Sequence, residues 1–168
     1  MSSPHFPDPT EPPEPLGLDT GTLALFAGSA AADAVQAELA AQGFGDLRTS
    51  HGYVFQHLVH GQPTVGDLAA KLGMTQQGAS KAVVELERLG YAERVPDPAD
   101  ARVRLVRLTP RGREAVAAAR RARSALEERL TRRCGAERLT AGRAVLAELL
   151  EELGGAEGVR RRDVRPPR

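Results

Sequence analysis

Apolar residues recur every three or four positions through most of this chain, and that period predicts helices. In LALFAGSAAADAVQAELAAQ, the residues Leu23, Phe26, Ala27, Ala30, Ala34 and Leu39 fall on one face. Asp19 or Thr20 can cap this first helix, and Gly43 and Gly45 end it. HGYVFQHLVHG is a second helix, capped by Thr49 or Ser50, with Tyr53, Val54 and Leu58 turned inward and His57 beside them. Thr64 caps a third helix with the stripe Val65, Leu68, Ala69 and Leu72, and Asp67 stands where a capping box needs an acid. A tight break at Gly73-Met74 leads to Thr75, the cap of a fourth helix whose buried line is Ala79, Val83, Leu86 and Leu89, with Gly90 as a left-handed C-cap.

The period then changes. Tyr91 to Val95 reads as a short strand, Pro96 to Ala101 as a loop of strong turn formers, and Arg102 to Leu108 as a second strand. The alternation slips at Leu105-Val106, which predicts a local bulge. Thr109 followed by Pro110 opens a fifth helix to roughly Arg133, with Val116, Ala119, Ala122, Leu126 and Leu130 as its apolar positions. Gly135 breaks it, and Arg138 to Leu153 forms a sixth. Two short helices, a three-residue break and a two-stranded β wing make a winged helix-turn-helix, with further helices before and after it. The fold class is therefore mostly α.

Composition narrows the picture. Aromatic residues are 4% of the chain and Trp is absent, so the core must rely on Leu, Val and Ala. The formal net charge of +1 says nothing about nucleic acid, but its distribution does. Positions 94–113 hold six Arg against Asp97 and Asp100, and five of the last nine residues are Arg. A basic stripe inside a neutral chain fits a polyanion. The single cysteine, Cys134, excludes an internal disulfide framework. No apolar run approaches the ~18 residues of a membrane span, and the N-terminus lacks the pattern of a secretory leader, so a cytoplasmic protein is expected.

The polar residues of the fourth helix carry the candidate chemistry. Gln76, Gln77, Ser80 and Lys81 lie off its buried line. Gln can pair bidentately with adenine, Lys with guanine or phosphate, and Ser with either. The backbone amides from Thr75 to Gln77 open a helix, which suits a phosphate. No nucleophile elbow, phosphate-cradling glycine loop or HExxH pattern is present, so no enzyme and no cofactor are expected.

The stretch from Thr64 to Gly112 resembles the MarR family of bacterial transcriptional regulators. LAAKLGMT, VVELERLGYAERVPDPAD, the Asp100-x-Arg102 pair and Leu108-Thr109-Pro110-Arg111-Gly112 carry the resemblance. It implies a homodimer in which the first, fifth and sixth helices of two chains interlock. The implied partner is double-stranded DNA with a pseudo-palindromic operator. The recognition helix, Thr75 to Leu89, would enter the major groove and the wing the adjacent minor groove. The implied activity is repression relieved by a small, often aromatic or phenolic, acid bound between the dimerising helices and the winged module.

Carried over residue by residue, the resemblance assigns DNA contacts to Thr75, Gln76, Gln77, Ser80 and Lys81. In the wing, two roles compete for Arg102: pairing with Asp100 or Asp97 to hold the wing's shape, or entering a narrow minor groove. Family members often carry a further Arg between Asp100 and Arg102, where this chain has Ala101; that departure either weakens the minor-groove contact or passes it to Arg104. Arg94 and Arg111 are candidates for backbone phosphates. Arg48 and His51 fall near the family's ligand pocket, one able to bind a carboxylate and the other to donate to a phenol. Some relatives sense oxidants through a cysteine near the first helix, but Cys134 ends the fifth. Others bind zinc through His clusters. His57 and His60 are three apart, without a nearby Cys or carboxylate pair, so no metal site is expected.

The expected organisation is an acidic disordered tail (1–18), the first dimerisation helix and the second helix (19–60), the winged module (61–113), the C-terminal dimerisation helices (114–154) and a basic disordered tail (155–168). The rival reading is a winged helix used as a protein–protein interaction module, without sequence-specific DNA binding.

Overall fold

The helical and extended periods fold, in chain order, into α1 (Thr20–Ala41), α2 (His51–Leu58), α3 (Val65–Leu72), α4 (Gln76–Arg88), β1 (Ala92–Pro96), β2 (Arg104–Leu108), α5 (Pro110–Cys134), α6 (Ala136–Glu152) and α7 (Ala156–Arg160). The structure is a computed structural model that describes residues 14–161. Most of the two tails expected to be disordered lies outside the described residues. Within them, Pro15–Gly17 makes a 3-10 turn, and α7 is a short helix where none was expected. None of the described helices is long and apolar enough to cross a membrane.

Helix starts follow the sequence where a side-chain oxygen reaches back three residues. Asp19, Thr64, Thr75 and Thr109 accept from the backbone N–H groups of Thr22, Asp67, Gly78 and Gly112. The start of α2 departs from this rule. Ser50 is itself helical and makes no capping bond, and Thr49 does not cap the helix either. Instead the Nδ1 atom of His51 accepts from the Arg48 N–H at 3.1 Å.

One core joins α2, α3, α4 and the hairpin. Leu68, Ala69 and Leu72 of α3 and Ala79, Val83 and Leu86 of α4 are all buried in it. Val54, Phe55 and Leu58 of α2, with Tyr91 and Val106, complete it. A smaller cluster joins α1 to α5 through Val35, Leu39, Ala118 and Ala122. The alanines let the two helices approach closely.

The apolar positions of α1, α5 and α6 are only partly covered among the described residues. Phe26, Ala27, Ala30 and Ala34 do not face the chain's own core: they are exposed, and only Val35 and Leu39 of α1 are buried. In α5 the buried line is Gly112, Ala115, Ala118 and Ala122, with Val116, Ala119 and Leu126 half-buried and Leu130 exposed. In α6 nothing is fully buried, and Val145, Leu146, Leu150 and Leu153 stand exposed. The sequence period located these helices correctly, but it could not say that their apolar residues would outnumber the partners one chain supplies.

The wing holds no bulge. β1 and β2 pair antiparallel without interruption from Ala92 opposite Leu108 to Pro96 opposite Arg104. The slip at Leu105-Val106 has another cause. Leu105 forms an isolated bridge with Thr64, and the Val106 N–H donates to the Pro63 carbonyl at 2.9 Å. The segment before α3 thus bridges to β2 at this point. It half-covers Leu105 while Val106 points into the core.

The junction between α4, β1 and α5 is the tightest point of the module. Thr109 donates its hydroxyl to the Gly90 carbonyl at 2.6 Å, and its N–H to the Tyr91 carbonyl at 3.1 Å. A Cβ on Gly112 would stand 2.1 Å from that Tyr91 oxygen, so the first turn of α5 can seat here only with glycine. Gly112→Ala is expected to cost about 3 kcal/mol or more, because backbone rather than a flexible side chain must give way. Chemical denaturation of the variant measures it, and a loss below about 1 kcal/mol would contradict this close approach.

The capping box at α3 supplies a pH-dependent contribution. Asp67 accepts from the Thr64 N–H at 2.9 Å and from its hydroxyl at 2.8 Å. These bonds, the backbone one first, hold the Asp67 carboxyl below its ordinary value of 3.8. A depressed folded-state pKa means that the contribution is present above 3.8 and fades as pH falls through the folded value. Asp67→Ala should cost about 0.5–1 kcal/mol near neutrality. In urea titrations that gap should close below pH 3.8; a gap that persists in acid would assign the cost to something other than the charged cap.

Candidate nucleic-acid interface

Because Ala79, Val83 and Leu86 are buried, the opposite side of α4 faces solvent. Thr75, Gln76, Gln77, Lys81, Val84 and Arg88 are exposed there, with Ser80 half-buried beside them. Gln77, Ser80, Lys81, Val84, Glu85 and Arg88 border one shallow groove along the helix. The five expected contact residues of this helix are therefore brought together on its outer N-terminal half. Thr75 serves first as the N-cap, its hydroxyl engaged by Gly78 at 3.1 Å.

The electrostatics of this surface depend on how its acids are held. Glu85 pairs with Arg48 and, at 3.5 Å, with His51 Nε2. Glu87 accepts from the Arg94 guanidinium at 2.8 Å and from its N–H at 3.1 Å. Glu93 pairs with Arg107 across the hairpin at 2.9 Å. Asp100 takes a two-pronged contact from Arg102, at 3.1 Å for each nitrogen. Asp97 accepts from the Ala99 N–H at 2.8 Å. Among the described residues, Lys81, Arg88 and Arg104 have no carboxylate partner. The acids are absorbed locally, and three cations remain free.

The wing arginines separate by this test. Arg94 is held against α4 by Glu87 and is mostly covered, so it shapes the joint between helix and hairpin. Arg102 is bound to Asp100, yet its side chain is 91% exposed. Its hydrogen bonds hold the Asp100 carboxyl below the usual carboxylate range. Holding the wing's shape and projecting from it are thus compatible in one side chain. Arg104 is exposed on β2. Arg111, a phosphate candidate from the sequence, is engaged elsewhere. It lies 4.8 Å from the Tyr91 ring centroid and 5.7 Å from that of Phe44, and it donates to the Tyr91 hydroxyl at 3.0 Å. Tyr91 in turn donates to Asp46. Burial first, and the bond to Asp46 second, raise the Tyr91 pKa above the ordinary phenol value.

Arg48 and His51 do come together, at the start of α2. Both border a cavity of about 530 Å³ between α1, α2 and α5, lined by Val35, Leu39, Phe55, Val59 and Val116, with Arg120 and Arg123 also on its wall. His51 is buried; its Nδ1 accepts from Arg48 N–H, which leaves Nε2 to carry the proton and face Glu85. The two residues therefore join the cavity wall to α4. Glu85 was not singled out by sequence reasoning. Its one visible signal was an acid among the off-line positions of a helix otherwise rich in amides and cations.

The remaining candidates fall elsewhere. Cys134 is half-buried at the end of α5, its thiol directed at the Leu130 carbonyl at 3.1 Å. His57 is buried and His60 exposed, and among the described residues no group of three or more His, Cys, Asp or Glu side chains converges on a metal-sized site. The Tyr91–Asp46–Arg111 network was also missed, since contacts 20 to 45 residues apart leave no local pattern; the exposed Val84 was missed as well.

Comparison with known proteins follows the same geometry. The MarR family model matches residues 46–103. Among solved structures, FabT of Streptococcus pneumoniae in complex with DNA is 23% identical with a TM-score of 0.63, covering 81% of this chain and 98% of that one. A mutant of S. aureus MepR bound to an oligodeoxyribonucleotide is 22% identical with a TM-score of 0.59, covering 81% and 99%. CouR of Rhodococcus jostii RHA1 bound to p-coumaroyl-CoA is 25% identical with a TM-score of 0.57, covering 80% and 93%. No curated protein sequence matches the chain.

Proposed function

We propose that this chain, whose residues 46–103 match the MarR family model, is a dimeric transcriptional repressor that binds a pseudo-palindromic operator and is released by a small acidic ligand. The observation that carries the reading is the outer side of α4, where amides, a hydroxyl and free cations are exposed while every nearby acid is paired or bonded. Gln76, Gln77, Ser80 and Lys81 supply the base and phosphate contacts, with the amides behind Thr75 available to a phosphate. Arg102 and Arg104 approach the minor groove, where arginine is favoured by the negative potential of a narrow groove. FabT and MepR, solved with DNA, share this fold and support the assignment.

The second copy follows from the uncovered apolar residues. Leu25 and Phe26 of α1, Val145, Leu146 and Leu150 of α6, and Leu153 just after it remain largely exposed among the described residues. A two-fold interface that buries them sets two α4 helices about one DNA turn apart, ~34 Å. DNA as the partner implies action in the cytoplasm.

The cavity between α1, α2 and α5 suits an effector with an apolar body and an acidic end. Its wall is mainly aliphatic and aromatic, with arginines at Arg48, Arg120 and Arg123. CouR, solved with p-coumaroyl-CoA, is one relative of this fold that carries an acyl-CoA ligand. An acid that draws Arg48 away from Glu85 loosens α4 from α2, so the ligand and the operator prefer different arrangements of the same pair.

Fluorescence anisotropy with duplexes selected from a random pool should give clear preference over bulk random DNA at moderate salt. Absence of preference would turn the reading toward a protein–protein interaction module. On a selected duplex, Lys81→Ala and Arg102→Ala should each weaken binding and lower the salt slope by about 1. A slope equal to that of the wild type removes the residue from the phosphate contacts. For the effector, benzoates, hydroxybenzoates and cinnamates are suitable probes in calorimetric titrations. Arg48→Gln should weaken the best of them about tenfold or more, as expected for losing a charge-assisted hydrogen bond; equal affinity would exclude Arg48 from the site.

A further inference from the structure

Val84 is out of place for a solvated helix surface. Its side chain is 51% exposed, and among the described residues it is the one large apolar side chain exposed anywhere in residues 61–113. The other exposed apolar residues of the long helices lie on α1, α5 and α6, outside the winged module. Val84 contributes nothing to the buried line of α4, and valine is a poorer helix former than alanine because its branched Cβ is stiff. Folding therefore gives no reason for it.

Its neighbours give one. Ser80 and Lys81 lie one turn before it, Arg88 one turn after, and Gln77 two turns before on the same side. All of them border the same groove as Val84. Lys81 and Arg88 are free cations, while Glu85, the adjacent acid, is held back by Arg48 and His51. An apolar side chain thus sits in the middle of a hydrogen-bonding, positively charged strip, with no carboxylate free to repel a phosphate.

We propose that Val84 is a specificity residue that packs its γ-methyl groups against the C5 methyl of a thymine in the major groove. This rests on the DNA-binding function proposed above and deepens it. The thymine methyl is the only apolar feature any base pair presents in that groove, so an apolar side chain is the one kind that recognises it. The same side chain discriminates against cytosine, whose exocyclic amino group would be left against valine without an acceptor. Gln77, Ser80 and Lys81 supply hydrogen bonds, and Val84 supplies the contact that they cannot make.

The test uses the full chain and a duplex selected by the wild type from a random pool. Each thymine is replaced in turn by uracil, which removes only the methyl group. The wild type should lose about fourfold in affinity at one position of each half-site, corresponding to the ~0.8 kcal/mol of one buried methyl-sized group. Val84→Ala should bind the thymine duplex about as weakly as the wild type binds the uracil duplex, and should not tell the two apart. Circular dichroism should report an intact α4, since alanine raises helix propensity. Wild-type binding that ignores every such replacement overturns the proposal, as does a Val84→Ala chain that still discriminates. Failure of the selection to enrich any sequence would instead defeat the DNA-binding reading itself, and this inference with it.

Discussion

The packing of α3 on α4 is the constraint from which the rest of the molecule follows. Leu68, Ala69 and Leu72 meet Ala79, Val83 and Leu86 with almost no solvent access. A helix of thirteen residues has only one way to bury such a line. Once it is buried, the opposite side is necessarily outward and its composition becomes the business of function rather than folding. The break at Gly73, with φ of 63°, lets the chain turn between the two helices without strain. Gly90, at φ of 79°, does the same where α4 gives way to the hairpin.

Charge on the outward side is managed by pairing rather than by excess. The chain's acids and bases nearly balance, so net attraction for a polyanion must come from placement. Arg48, Arg94, Arg102 and Arg107 are each spent on an acid. Exposed pairs of this kind add little stability. Their effect is to remove negative potential from a surface where Lys81, Arg88 and Arg104 stay free. Two of these pairs also have a geometric role: Arg94–Glu87 ties β1 to α4, and Arg48–Glu85 ties the cavity wall to it.

Legibility in the sequence followed the range of the interaction. The caps of α1, α3, α4 and α5, the αL glycine Gly90 and the buried line of α4 could be read because each depends on residues within four positions of one another. The candidate contacts of α4 were legible for the same reason, as the complement of that line. What escaped was set by distant partners. The apparent slip at Leu105-Val106 looked like a bulge because Pro63 and Thr64, some forty positions earlier, are invisible to a periodicity argument. The partners of Arg111 were not legible, because nothing nearby announces Phe44, Asp46 or Tyr91. How much of α1 and α5 a single chain covers was not legible, for a different reason. Helical period reports which residues avoid water, and it does not report whether the cover comes from the same chain.

The bridge from Pro63 and Thr64 to the wing has a consequence for how this module tolerates change. The hydrogen bond from Val106 to Pro63 anchors the base of the wing to the entrance of α3. The base of the hairpin is therefore tied to the helical pair, and the end of the hairpin from Pro96 to Arg104 lies beyond that anchor. Insertions and deletions at the tip alter reach without disturbing the reader. A single added residue at Gln62 or Pro63 would slide the anchor and shift helix and wing together. The short connector before α3, which carries none of the proposed contacts, is thus where the chain's length is least negotiable.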